Sequence, residues 1–346
     1  MKALFKKTII IASILILTSA VWIWHAMHDL ANSPMQVPES GFVLEVEPGG
    51  HLNRVFSKLK QHDIIKNSFY LKLYARWYGL GQKIHVGEYQ LQQGMTPQEL
   101  LTNLSEGKVI QYSITIVEGW TFKQMIEHIR ANPNLNHTID AQTSEGIMAA
   151  IGLTGQHPEG RFMPDTYYFP RGMTDSEFLL RAYRAMQTYL ENAWPNRDVG
   201  IPIKTPYEAM ILASIVEKET GLASERKMIA GVFSRRLVKR MRLQSDPTVI
   251  YGMGDRYDGN IRRKDLNTDT PYNTYQRFGL PPTPIALPGR DAIDAVLHPL
   301  DGEALYFVSK GDGSHYFSAT LQEHNEAVIK YQLKGRKKPF SSYKPE

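Results

Sequence analysis

The chain has 346 residues, 42% of them hydrophobic, no cysteine and a formal net charge of +5. That length accommodates two or three domains of ordinary globular composition, and the missing thiols exclude disulfides, thiol catalysis and any cysteine-ligated zinc site. The charge sits at the ends: three N-terminal lysines and a net +5 over residues 330–346 leave residues 8–329 at about −3, whereas a nucleic-acid binder carries its basic surface on the folded body, so nucleic acid is discounted as a partner.

Lys2, Lys6 and Lys7 precede Thr8 to Trp24, seventeen residues without a formal charge, and Ala26 and Met27 extend the apolar run past His25. About twenty apolar residues cross a bilayer as a helix. Residues 1–7 are therefore expected as a cytoplasmic tail and residues 8–27 as a transmembrane anchor, with Trp22 and Trp24 at the far interface. A cleaved signal peptide is the alternative, with Thr18-Ser19-Ala20 as a weak cleavage site; the apolar run continues beyond it, which favours a retained anchor. Either way the bulk of the chain is exported. Pro34 and Pro38 mark residues 28–40 as a linker.

Residues 41–110 read as a small α/β module. Phe42 to Val46 alternates like a strand, and Leu52, Val55, Phe56 and Leu59 share one helical face. A second helix is expected over Ser68 to Tyr78, a short strand over Gly87 to Leu91, and a third helix from the capping box Thr96-Pro97-Gln98-Glu99 to Gly107. This strand-helix-helix-strand-helix order resembles a LysM-like module, of the kind that binds amino-sugar glycans; a plain spacer would match it too.

The main domain is expected over residues 111–335. Ile114 to Val117 is a strand, Glu118-Gly119 a turn and Thr121 to Ile129 a helix. Residues 135–205 read as mostly helical, interrupted by an aromatic loop over residues 159–167. Thr205-Pro206-Tyr207-Glu208 has a capping-box form, and Gly221 suits the left-handed position after a helix end. Between them the residues are apolar on nearly every face, so this helix should be central and buried. Glu219 follows Leu212, Ile215 and Val216 by seven, four and three residues and so continues an aliphatic stripe, while Glu217 continues the smaller, more polar face of Met210, Ala213 and Ser214. Desolvation and the negative end of the helix dipole both raise a carboxyl pKa. Glu219 is thus the candidate for an acid that keeps its proton, as a general acid must. Glu217 is expected to be structural or paired with Arg226.

A helix over Ala223 to Lys239 should turn Ile229, Val232, Phe233 and Leu237 inward and its basic residues outward. Asp246-Pro247 reads as N-cap and first position of a short helix. The irregular stretch from Gly252 to Pro288 is long enough to be functional. Residues 304–308 and 315–317 form a hairpin, and residues 336–346 a solvated basic tail. His315 and His324 lack a partner at metal spacing, so core or surface roles are expected, with no metal and no cofactor.

The run Ala213-Ser214-Ile215-Val216-Glu217-Lys218-Glu219-Thr220, with Ser224-Glu225-Arg226, residues 242–252 (RLQSDPTVIYG), Tyr272-Asn273-Thr274-Tyr275 and Gly279-Leu280-Pro281-Pro282, resembles the YceG-like family of endolytic murein transglycosylases. The ordered blocks run from about Glu118 to Asn325. The resemblance implies a lyase at the bacterial inner membrane, single-pass with its N-terminus cytoplasmic and its catalytic domain periplasmic. Such an enzyme cleaves nascent peptidoglycan strands between N-acetylmuramic acid and N-acetylglucosamine and leaves 1,6-anhydro ends. It implies Glu219 as the catalytic residue, and Glu219-Thr220 is similar to the Glu-Ser pair of other lytic transglycosylases. Gln244, Asp246, Tyr251, Asn273 and Tyr275 become candidate cleft residues that bond or stack with sugars. Leu287 stands where many members have Asn, which puts a polar contact there in doubt.

The expected architecture is α+β: an N-terminal transmembrane helix, a small LysM-like α/β module and a larger mixed helical/β catalytic domain. Expected partners are peptidoglycan glycan strands, the membrane through the N-terminal helix, and peptidoglycan synthases with division or elongation proteins. Two other functions stay open: a hydrolytic muramidase with Asp246 as the water-activating carboxylate, and a non-catalytic wall-binding scaffold.

Overall fold

The computed structural model describes residues 2–80 and 84–336; residues 337–346 of the expected basic tail lie outside the described residues. The chain is α+β and divides into two compact units, one of residues up to 113 with 168–173, the other of residues 114–167 with 174 onward.

In the first unit, helix α1 (Lys2–Asn32) is apolar enough from Phe5 onward to cross a membrane. It does not stop at Met27 to leave a linker. Met27, Ala31, Met35 and Val37 are buried in the same core as Leu44, Phe56 and Leu104, because the apolar spacing persists beyond the stretch that a bilayer would cover. The antiparallel strands β1 (Phe42–Val46) and β2 (Gly87–Leu91) pair from Phe42↔Leu91 to Val46↔Gly87. Helices α2 (Leu52–Gln61) and α3 (Phe69–Trp77) turn Val55, Phe56, Leu59 and Leu71, Tyr74, Ala75 to the core. Helix α4 (Pro97–Glu106) has the full Thr96/Glu99 capping box and ends on Gly107 in the left-handed conformation, φ 70°.

Strand β3 (Gln111–Thr115) pairs with β4 (Thr166–Pro170). The sequence pattern assigns no strand to 166–170 and predicts that 135–205 is mostly helical. The run Thr-Tyr-Tyr-Phe-Pro is intrinsically extended, and a partner some fifty residues upstream, which local pattern does not register, supplies the ladder.

The second unit continues with α5 (Phe122–Arg130), α6 (Ser144–Ala150), α7 (Asp175–Ala193) and α8 (Pro206–Glu219). Every residue of α8 from Ala209 to Val216 is buried. The core around it draws on α9 (Ala223–Val238) and α12 (Arg290–Leu297), with Ile229, Phe233, Ile293 and Val296 against Leu212, Ala213 and Ile215. Two short helices, α10 (Asp246–Met253) and α11 (Arg263–Asn267), lie in and before the irregular stretch. The unit closes with an antiparallel hairpin, β5 (Tyr306–Ser309) and β6 (His315–Ser318), and helix α13 (Leu321–Tyr331).

Four local expectations are corrected. The Thr205 hydroxyl accepts from Glu208 N, but the Glu208 carboxylate accepts from Lys204 N, so only half of the capping box forms. Gly221 is not left-handed: α8 stops when Thr220 turns extended (φ −145°, ψ 137°). The Thr220 hydroxyl then accepts from Leu222 N, and α9 begins too soon for a left-handed turn to fit. Ser245, not Asp246, is the N-cap of α10. Of the basic residues on α9, Arg226 and Arg236 are buried rather than outward, Arg226 matched to carboxylates and Arg236 to backbone carbonyls.

Candidate active site

Glu219 is the last residue of α8, so a helix buried from Ala209 to Val216 delivers its carboxyl to the edge of the core. There the Ser245 hydroxyl donates to Glu219 Oε1 at 2.5 Å. Ser245 is itself held by its backbone: its N–H donates to the Thr274 hydroxyl, and its carbonyl accepts from the Thr248 hydroxyl. Burial pushes the Glu219 carboxyl up to about 7; the Ser245 hydrogen bond opposes the rise, the negative charge of Asp246 adds to it, and the Arg236 guanidinium opposes it. A carboxyl with such a pKa is populated in both protonation states near neutrality, as a group that gives and then takes a proton must be.

Glu219 opens onto a cavity of about 480 Å³ shared with Arg236, Gln244, Asp246, Tyr275 and His315. Gln244 is held in the left-handed region at φ 52°, an uncommon conformation for a residue with a β-carbon. Its N–H donates to Thr274 O while the exposed side chain remains in the cleft. The Tyr275 hydroxyl donates to Asp246 Oδ1 at 2.6 Å. Burial, with the charge of Asp246, raises the Tyr275 phenol, which stays a donor at any physiological pH.

The other two expected cleft residues are placed elsewhere. Asn273 is buried, and its amide donates to the carbonyls of Asp265, Leu266 and Thr268 while its Oδ1 accepts from Tyr275 N. It staples the long loop rather than lining the cavity. Tyr251 packs edge-on to Tyr272 and donates to Glu159 Oε2 at 3.1 Å. Leu287 is fully buried, and its backbone pairs with Trp120 O and Gly119 N, so that position gives the core an apolar side chain.

Glu217 has the paired role expected of it. It is 6% exposed, lies 3.3 Å from Arg226 and accepts from Gly289 N. Arg226 also reaches Asp291 and Glu118.

Three features escaped sequence reasoning. Arg236 lines the cavity with its guanidinium committed to the carbonyls of Leu305, Leu243 and Arg242. His315 also lines it, its N–H and Nδ1 both bonded to the buried Glu225 carboxylate; the register of β6 against β5 decides this, and sequence spacing carries no trace of it. Glu159 is a second buried carboxyl pushed up to about 7, by burial against the opposing hydrogen bonds from Phe122 N, Tyr251 and Gly160 N. It falls in the aromatic loop over residues 159–167, whose composition was a usable signal.

The YceG-like family model matches residues 44–330. An endolytic murein transglycosylase of Bacillus subtilis is 30% identical over 309 residues, covering 83% of this chain and 84% of the relative. Proteins of the same name from two strains of Streptococcus pneumoniae are 25% identical over 320 residues; they are longer, and the match spans 57% of their length. A crystal structure of a YceG-like protein from Listeria monocytogenes superposes with a TM-score of 0.54 at 29% identity, covering 84% of this chain and 99% of that one.

Proposed function

Since the chain belongs to the YceG-like family, we propose that it is an endolytic murein transglycosylase that cuts the N-acetylmuramic acid–N-acetylglucosamine bond within peptidoglycan strands, with Glu219 as its single acid and base. The observation that carries this reading is the Glu219 carboxyl, held at a pKa of about 7 in an open cleft. Glu219 first protonates the glycosidic oxygen as the bond to the anomeric carbon breaks. The resulting carboxylate takes the proton of the sugar's own 6-hydroxyl as that oxygen bonds to the same carbon, leaving a 1,6-anhydro end. Intramolecular attack gains from proximity, and no second protein carboxyl is required. Gln244 and the Tyr275–Asp246 pair are the sugar-contacting groups in this account.

Asp246 in the same cavity supports a second reading, in which it activates water and the enzyme hydrolyses the bond. Product mass separates the two, since hydrolysis adds a water that an anhydro end lacks. The test of the main reading is a digest of purified glycan strands by the wild type and Glu219→Gln. The variant is expected to fold and release no anhydro-muropeptides; full activity in it would remove Glu219 from the mechanism, and loss in Glu217→Gln alone would exchange the two roles.

The order β1-α2-α3-β2-α4 supports a LysM-like module over residues 41–110 that binds glycan. Helix α1 is read as a single-pass inner-membrane anchor with the lysines cytoplasmic, which leaves the cleft in the periplasm beside newly made strands, where synthases and division or elongation proteins are met.

A further inference from the structure

Helix α3 presents large apolar side chains to solvent: Phe69 is 64% exposed and Trp77 71% exposed. From Ile64 to Gly87 the sequence carries Lys66, Lys72, Arg76 and Lys83 and no carboxylate. On α1, Asp29 is the sole carboxylate before Glu39. An exposed aromatic face edged by cations has the composition of a helix that lies in a membrane–water interface.

Its position on α1 points the same way. Trp22 packs edge-on against Tyr70, with ring centroids 6.2 Å apart, and Tyr70 in turn contacts Phe69. Farther along α1, His28 contacts Tyr74 and Tyr78 and shares a 2.7 Å hydrogen bond with the Tyr78 hydroxyl. The side chains of α1 are exposed from Ile9 to Trp22 and enter the protein core at Met27. Counting about twenty residues from Lys7 puts the far edge of a bilayer core near that same residue. The Trp22–Tyr70 contact then lies roughly 8 Å inside this edge, so the N-terminal end of α3 sits at the depth, about 5–10 Å, to which an interfacial helix buries its apolar face.

We propose that α3, running alongside α1, dips its N-terminal end into the leaflet from which α1 emerges, with Phe69 in the acyl boundary, Trp77 at headgroup level and Lys72 and Arg76 on anionic lipid. The small module is then fixed to the membrane along two helices instead of swinging from one. This rests on the reading of α1 as a membrane span.

The absence of cysteine allows one spin label at a time in the full chain, reconstituted in phosphatidylethanolamine–phosphatidylglycerol vesicles. Collisions with oxygen mark lipid, and collisions with a water-soluble nickel chelate mark water. Ile14→Cys reports α1, Phe69→Cys and Trp77→Cys report α3, and Val199→Cys is the aqueous reference. Ser68→Cys probes the same end of α3 with every aromatic in place. Labels at 14, 68, 69 and 77 are expected to show an oxygen-to-nickel ratio several-fold above that at 199. If 14 reads lipid while 68, 69 and 77 match 199, docking of α3 is overturned and the anchor stands; if 14 also reads water, the anchor fails and docking with it. Labels on α3 shielded from both reagents would mean that protein covers this face, which also overturns the proposal.

Discussion

Two carboxyls held near pKa 7 dominate the chemistry at the scale of single residues, and they respond differently to substitution. In the proposed mechanism Glu219 starts each turnover protonated, so the alkaline limb of the pH–rate profile should fall near pH 7. The Ser245 hydroxyl favours the carboxylate, so Ser245→Ala is expected to raise the pKa further and move that limb to higher pH. Asp246 disfavours the carboxylate, so Asp246→Asn is expected to move it to lower pH. Anhydro-muropeptide release measured across pH checks both, and shifts in the same direction would contradict the electrostatics. Glu159 is 4% exposed and affects stability instead. Its pKa is raised from 4.5 to about 7 on folding, so the folded state binds its proton more tightly. The associated stability is present below the unfolded pKa and lost as pH rises through the folded one, about 3 kcal/mol in all. Glu159→Gln should flatten the fall in urea midpoint between about pH 5 and about pH 8, with Glu219 and Glu118, both also raised, contributing to what remains. Glu219 was legible in the sequence because helical spacing and the family motif converge on it. For Glu159 the sequence offered only the aromatic loop it sits in, because its burial comes from α5 and Tyr251, which reach it from segments 37 and 92 residues away.

At the scale of elements, α8 and α9 hold the site, and their junction depends on a buried charge cluster. Arg226 on α9 faces Glu217 on α8, both largely removed from solvent. Arg226→Ala leaves Glu217 buried without its cation and is expected to cost about 3–5 kcal/mol, read as a drop in denaturant midpoint. The exposed partner Asp291 should matter little. Capping chemistry made the helix starts at Thr96 and Thr205 readable, since each needs only residues within one turn. The end of α8 was misread because Gly221 is a permissive residue, while the extended backbone of Thr220 and the closeness of α9 decide how the chain leaves the helix. Strand β4 was missed for a related reason: a strand needs a partner, and its partner is distant in sequence.

At the scale of the whole chain, the helix proposed as a membrane anchor also belongs to the first folded unit. Met27, Ala31 and Met35 are core residues of that unit, so a chain beginning at Gln36 should be less stable than one beginning at Trp24 by at least about 3 kcal/mol, measurable by thermal unfolding of that unit. Equal stability would restore the expected linker at 28–40. The sequence by itself determined the apolar N-terminal run, the capped helices, the apolar helix that ends in Glu219 and the membership of the family, because each is written in neighbouring residues or in ordered motifs. Only the tertiary structure decided which side chains meet at Glu219. Of five expected cleft residues it brings Gln244, Asp246 and Tyr275 to the cavity, turns Asn273 and Tyr251 away, and adds Arg236 and His315. The physical reason is that a side chain's surroundings depend on the packing of distant segments, and a carboxyl's pKa depends on those surroundings more than on its neighbours in the chain.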